Sequence, residues 1–202
     1  SRIETGEPYL VFSDHVASTQ PQHHKLAGLE VKTSNLCSEI MLPTGTDQHG
    51  RERTAVCCLS SLNLENWFEW EHDPHFIPDV MRFLDNVLQD FIDRAPEGME
   101  RARYAAMRER SVGLGVMGFH SFLQSQMVPF ESVMAKVWNT RMFRHIREGA
   151  DAASRALAEE RGPCPDAAEY GVAERFSHKL AIAPTAPKLP RHGEASTNSV
   201  PH

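Results

Sequence analysis

The spacing of apolar residues changes period several times along this chain, and each change marks an expected element. From Pro78 onward, Val80, Phe83, Leu84, Val87, Leu88, Phe91 and Ile92 recur at helical spacing on one face. Pro78 suits a first turn, and Pro96 with Gly98 closes the run. A second helical stretch is expected over 99–126. A third covers 131–161, repeating Met134, Trp138, Met142, Ile146, Ala153 and Leu157 before Gly162-Pro163 stops it. Residues 9–12 (Tyr-Leu-Val-Phe) read as a short strand, and 13–25 as a polar loop containing His23 and His24. A turn-rich connection with Gly45, Asp47 and Gly50 spans 44–53, and a β-rich run from Ala55 feeds a polar turn at Ser60-Ser61. Long amphipathic helices between short apolar strands predict an α/β fold.

Candidate chemistry sits between the first strand and the first long helix. Asn35, Cys37 and Glu39 stand at alternate positions, so an extended backbone turns amide, thiol and carboxylate toward one pocket and Leu36 and Ile40 away from it. A structural cysteine needs neither polar neighbour, although an isolated buried cysteine is the ordinary case. Cys57 and Cys58 follow in the β-rich run; strand alternation lets one face the site and turns the other away. Cys164, after a helix end, reads as structural.

Bulk properties narrow the field. A net charge of −6 over 202 residues gives nothing that tracks a nucleic-acid backbone, and 41% hydrophobic residues suit a globular domain. No run has the apolar length of a membrane span, no leader opens the chain, and four cysteines are too few for a secreted disulfide scaffold. These features point to the cytoplasm, with no membrane or nucleic-acid partner. His72-Asp73-Pro74-His75 and His23-His24 lack zinc-finger or zinc-protease spacing, so scattered surface histidine and no metal site are expected. Gly113-Leu114-Gly115-Val116-Met117-Gly118 fits a dinucleotide fingerprint, but a charged, helix-like segment precedes it where an apolar strand is required.

Three ordered motifs carry a family resemblance. Asn35-Leu36-Cys37-Ser38-Glu39, Cys57 before Leu59-Ser60-Ser61-Leu62-Asn63-Leu64, and Leu180-Ala181-Ile182-Ala183-Pro184-Thr185-Ala186 together resemble the catalytic core of class I ribonucleotide reductase large (α) subunits. The resemblance implies part of a ten-stranded α/β barrel with Cys37 on an inner loop, occupying 1–186, and a degraded or foreign tail over 187–202. It implies a Cys37 thiyl radical that takes the ribonucleotide 3′-hydrogen, Glu39 as general base, Asn35 on the ribose hydroxyls and Cys57 as half of the reducing dithiol. Pro184, Thr185 and Ala186 would form the phosphate-binding turn. Pro187, which has no N–H, together with Lys188, Pro190, Arg191 and His192, departs from the family's small and β-branched continuation.

The implied partners are a ribonucleoside diphosphate, a radical-generating β subunit that carries the metal-dependent cofactor, and a second α subunit. Nucleotide effectors and thioredoxin or glutaredoxin would act through regions absent here, and no cofactor is expected on this segment. The chain opens on Ser1 in mid-motif and lacks the family's upstream redox cysteine, its tyrosine pair and its C-terminal shuttle cysteines. A fragment inactive alone is therefore expected. Two other classes remain open: a cysteine-nucleophile hydrolase built from Cys37, Glu39 and a histidine such as His120, and a truncated, non-catalytic interaction module.

Overall fold

A computed structural model describes residues 2–185. Short helices α1 (Arg2–Thr5), α2 (Ser13–Thr19) and α3 (Gln22–Leu26) lead into the hairpin of β1 (Gly45–Thr46) and β2 (Glu52–Arg53). Strand β3 (Leu59–Asn63) runs through a 3-10 turn into α4 (Trp67–Trp70), then the long α5 (Phe76–Arg94) and α6 (Glu100–Glu109). Strand β4 (Gly113–Met117) and α7 (Phe119–Ser125) precede α8 (Val133–Arg161) and the short α9 (Pro165–Ala168).

The two long helices form where the apolar period predicts them. Helix α8 starts at Ser132, whose hydroxyl accepts from the Ala135 N–H at 3.2 Å, and ends at Gly162 with φ +86°. It packs on α5 through Met142, Ile146 and Ala150 against Ile77, Met81 and Leu84. Phe83 and Val87, expected on the buried face of α5, are exposed, and Met81 and Ile77 take their places.

Between those helices the expected continuous stretch over 99–126 is broken. Arg110 adopts a left-handed conformation and ends α6, and 113–117 pairs as β4 with β3, parallel, in the register Leu59↔Gly113 to Asn63↔Met117. Leu180 adds an isolated parallel bridge to Leu114 on the other edge. The first two glycines of the fingerprint, Gly113 and Gly115, are thus inside a strand, and Gly118 caps α7 with φ +76°. A Cβ on Gly115 would overlap the Ala181 carbonyl, so glycine lets 180–182 lie against β4.

Buried ion pairs clamp the helices to this layer. Asp85 on α5 accepts from Arg110, Arg161 and Arg175, and burial, which raises its pKa, is more than offset by those guanidinium partners. Asp166 on α9 accepts from Arg53 at 2.5 Å and from Arg108 at 2.8 Å. No helix among the described residues is long and apolar enough to cross a membrane.

Two further expectations fail. Residues 9–12 form no strand, and Tyr9, Leu10 and Phe12 are 61–68% exposed. The loop expected over 13–25 is largely helical.

Candidate active site

The Asn35–Glu39 segment is a turn, not an extended run. Ser38 N–H donates to the Asn35 carbonyl at 3.1 Å, and Ile40 N–H donates to Asn35 Oδ1, also at 3.1 Å. Ser38 takes φ +68°. The Asn35 side-chain oxygen therefore closes its own loop and leaves its Nδ2 group for a ligand. Leu36 points outward from this turn and is 91% exposed.

Cys37 is exposed and lines a shallow groove with Tyr9, Leu10, Val11 and Met41. Glu39 turns the other way. It lines an adjacent cavity of about 210 Å³ with Ile40, Leu42, Leu59, Gly113 and Ala181, and its Oε2 is buried without a hydrogen-bond partner. Met41 belongs to both walls. A buried carboxylate oxygen left unpaired beside a cavity is a costly arrangement, of the kind active sites keep.

Cys57 joins this group. Burial raises its thiol pKa first, and the negative charges of Glu39 and Cys37 raise it further. Cys57 and Cys58 both precede β3 and lie outside the strand, so strict strand alternation does not govern them. Their exposures still differ. Cys57 is exposed, whereas Cys58 is in the core with its Sγ 3.8 Å from the Leu84 carbonyl. Cys58 also borders the Glu39 cavity, a position expected for Cys57. Cys164 is fully buried against the Ser177 hydroxyl.

The segment leading to the third motif reaches this cavity through Leu180 and Ala181. Pro184 is exposed and Thr185 has φ +44°, a turn conformation; Ala186 and the 187–202 tail lie outside the described residues. His120, the histidine considered for a nucleophilic triad, sits on α7 with its ring against Phe130 and lines neither cavity.

Behind the Glu39 cavity is a group that sequence spacing did not reveal. His23 and His24, expected at the surface, are 3% and 0% exposed. His23 Nε2 pairs with the Ser177 hydroxyl at 2.8 Å, while His24 contacts the His178 ring. Burial lowers His24 to about 3 and His178 to about 4, and it raises Glu109 to about 8. The partners come from three distant segments, so no local motif could have announced them.

A parallel strand pair backed by long helices, with two exposed thiols and an unpaired buried carboxylate oxygen nearby, places the chain in the α/β class of folds. A family model described as ribonucleotide reductase, barrel domain, matches residues 1–188. The chain belongs to that family. It is 44% identical, over its whole length, to a ribonucleoside-diphosphate reductase large subunit of Invertebrate iridescent virus 3, of which it covers 31%. It is 46% identical over 92% of its length to a putative large subunit of Frog virus 3, covering 32% of that protein. Among solved structures, the Actinobacillus ureae class Id ribonucleotide reductase α subunit superposes on 91% of the chain with a TM-score of 0.81 at 36% identity, and 34% of that subunit is covered. The chain thus spans about a third of the length of these relatives.

Proposed function

We propose that this chain supplies the thiol half of a ribonucleoside-diphosphate reductase catalytic centre. In this reading Cys37, which would give up its thiol hydrogen as an electron and a proton to a radical generated by a β subunit, removes the 3′-hydrogen of a ribonucleoside diphosphate. Glu39 accepts the 3′-hydroxyl proton and the 2′-hydroxyl leaves as water. Cys57 and a second thiol from outside this chain give up two electrons and two protons and become a disulfide. Cys37 then returns that hydrogen to the 3′ carbon and is left as the thiyl radical again. Asn35 holds the ribose through Nδ2, and Pro184, Thr185 and Ala186 offer backbone groups to the phosphates. A second α subunit, nucleotide effectors and a thioredoxin or glutaredoxin complete the assembly, in the cytoplasm.

The observation that supports this most is electrostatic. Cys57 feels both Cys37 and Glu39, whereas the Cys58 sulfur is turned to the Leu84 carbonyl. The test restores the segment within a complete α subunit and compares three variants. Cys37→Ser abolishes deoxynucleotide formation even with excess chemical reductant, because an alcohol O–H is too strong to replace the thiol. Cys57→Ser stops turnover but still releases base from decomposing substrate radicals. Cys58→Ser retains most activity. If Cys58→Ser gives the base release and Cys57→Ser is nearly normal, the reductant is assigned to the wrong neighbour.

A further inference from the structure

A polar group sealed inside a protein almost always has a hydrogen-bond partner. His24 breaks that rule twice. Its side chain is fully buried on α3, and neither Nδ1 nor Nε2 has a partner. Glu109, 1% exposed at the end of α6, leaves its Oε2 unpaired as well. The two unpaired groups face each other, with His24 Nε2 4.0 Å from Glu109 Oε2. That separation is too long for a hydrogen bond and leaves no room for a water between them. A ligand atom each from His24, Glu109 and His178 lies within 4.8 Å of the other two.

We propose that His24, Glu109 and His178 bind one divalent transition-metal ion of the zinc type. Two donors at about 2.1 Å from a tetrahedral ion stand about 3.4 Å apart, so closing on an ion needs shifts of only about an ångström. Two imidazoles and one carboxylate suit zinc, whereas magnesium and calcium prefer all-oxygen shells. The Arg53 guanidinium acts on both His24 and Glu109, but it is already held by Asp47 at 3.0 Å and Asp166 at 2.5 Å. Asp166 Oδ2 stands 3.7 Å from His24 Nε2, but its Arg53 and Arg108 bonds keep it as an outer neighbour. Ser111 Oγ lies 3.0 Å from His178 Nδ1, an outer bond of the kind that orients a metal-binding imidazole. His178 also borders the Glu39 cavity, which gives an ion a route in.

The ion would join three segments distant in sequence: α3, the end of α6 and the run from His178 to Ala181 that lies along β4. It would therefore act as a structural pin behind the candidate active site. The histidine pattern could not show this, because its ligands are set by long-range packing.

The test adds zinc, then cobalt, to the purified, metal-stripped chain. Expected are one zinc retained per chain with Kd below about 1 µM, a higher melting temperature, and a tetrahedral cobalt spectrum in the visible. Glu109→Gln and His24→Gln, checked for folding by circular dichroism, each weaken binding beyond the roughly 10–100-fold cost of losing an outer-shell partner. The surface pair His72→Gln/His75→Gln leaves binding unchanged. The proposal is overturned if folded Glu109→Gln keeps full affinity, if the surface pair abolishes binding, or if the wild-type chain retains no ion. Should both core variants fail to fold, anomalous scattering at the zinc edge from wild-type crystals decides: a peak among the three side chains supports the site, and a peak elsewhere or none refutes it. None of these readouts depends on nucleotide reduction.

Discussion

Gly115→Ala tests how the third motif is held against the strand layer. The glycine has no unusual backbone angle, so the whole cost is steric: the new methyl would overlap the Ala181 carbonyl, with Ile182 Cα only 3.6 Å away. A backbone carbonyl cannot swing aside as a side-chain tip can. Relief requires 180–182 to lift from β4, which breaks the Ala181 N–H to Leu114 carbonyl bond of 3.2 Å and strains the Leu114 N–H to Lys179 carbonyl bond of 2.8 Å. Two such bonds are worth about 1 kcal/mol each, and overpacking adds a further contribution, for a total of about 2–4 kcal/mol. Gly113→Ala overlaps side-chain atoms, Leu59 Cδ2 and the Ala181 methyl, the latter at 2.8 Å, and meets backbone only at an ordinary contact, Ala181 N at 3.7 Å. It should cost about 1–2 kcal/mol less than Gly115→Ala. Adding Ala181→Gly removes the methyl but neither Leu59 Cδ2 nor the carbonyl, so it should partly rescue Gly113→Ala and leave Gly115→Ala uncorrected. Urea unfolding followed by far-ultraviolet circular dichroism measures all five chains. Equal rescue of both variants, or a Gly115→Ala within about 0.5 kcal/mol of wild type, would refute the close approach.

Other predictions use the thiols, the buried carboxylate and turnover. A thiol reagent should label Cys37 and Cys57 in the native chain, with Cys58 and Cys164 reacting only after unfolding. Glu39→Gln should speed Cys57 labelling, because one charge that raises its pKa is gone; an unchanged or slower rate would contradict the placement of Glu39. Asp85→Asn should cost about 3–5 kcal/mol, since it leaves buried guanidinium groups short of an anion. The folded-state pKa of Asp85 lies below the ordinary 3.8, so its stabilisation is complete above that value and is lost as pH falls through the lowered one. Asp85→Asn should therefore flatten the acid limb of stability against pH, and an unaltered limb would count against this ion cluster. The purified chain should make no deoxynucleotide above background when mixed with a β subunit and dithiothreitol, and sustained product would show that the absent thiol is dispensable.

How much was legible depended on whether a residue answers to its sequence neighbours or to distant ones. Helices α5 and α8 announce themselves because Leu84, Leu88, Met142 and Ile146 share buried faces at helical spacing. Strand β4 does not, because two of its five residues are glycines, kept small by the close approach of Leu59 and Ala181. Helix α2 buries no residue and so leaves no apolar period to read. The Asn35 turn has the alternating polar spacing of an extended run, and only the turn-forming chemistry of Asn35 and Ser38 marks it as a turn. Cys37 and Cys57 could be singled out by motif, but the environment of Cys57 needed the fold. The adjacent pair His23-His24 is visible in the sequence, but nothing local links it to Glu109 or His178.

The scaffold and the candidate site differ in how complete they are among the described residues. The core of α5, α8, β3 and β4 buries Leu62, Leu84, Leu114, Met142 and Ile146 to within 4% of full exclusion, whereas Leu10, Phe12 and Leu36 near the thiol end stay more than 60% exposed. Two paired strands with one edge bridge are too few to close a barrel, and closure is what removes open edges. On the proposed reading, the rest of a large subunit supplies the wall over Cys37 and Cys57. Covering them further desolvates both sulfurs and pushes the Cys57 pKa higher still. That direction suits the chemistry proposed. A hydrogen-atom donor or a two-electron, two-proton reductant must hold its S–H bond at neutral pH, and a thiolate has no hydrogen to give. A nucleophilic cysteine needs the opposite shift. The raised Cys57 pKa therefore suits the reductant role proposed for it better than that of a nucleophile.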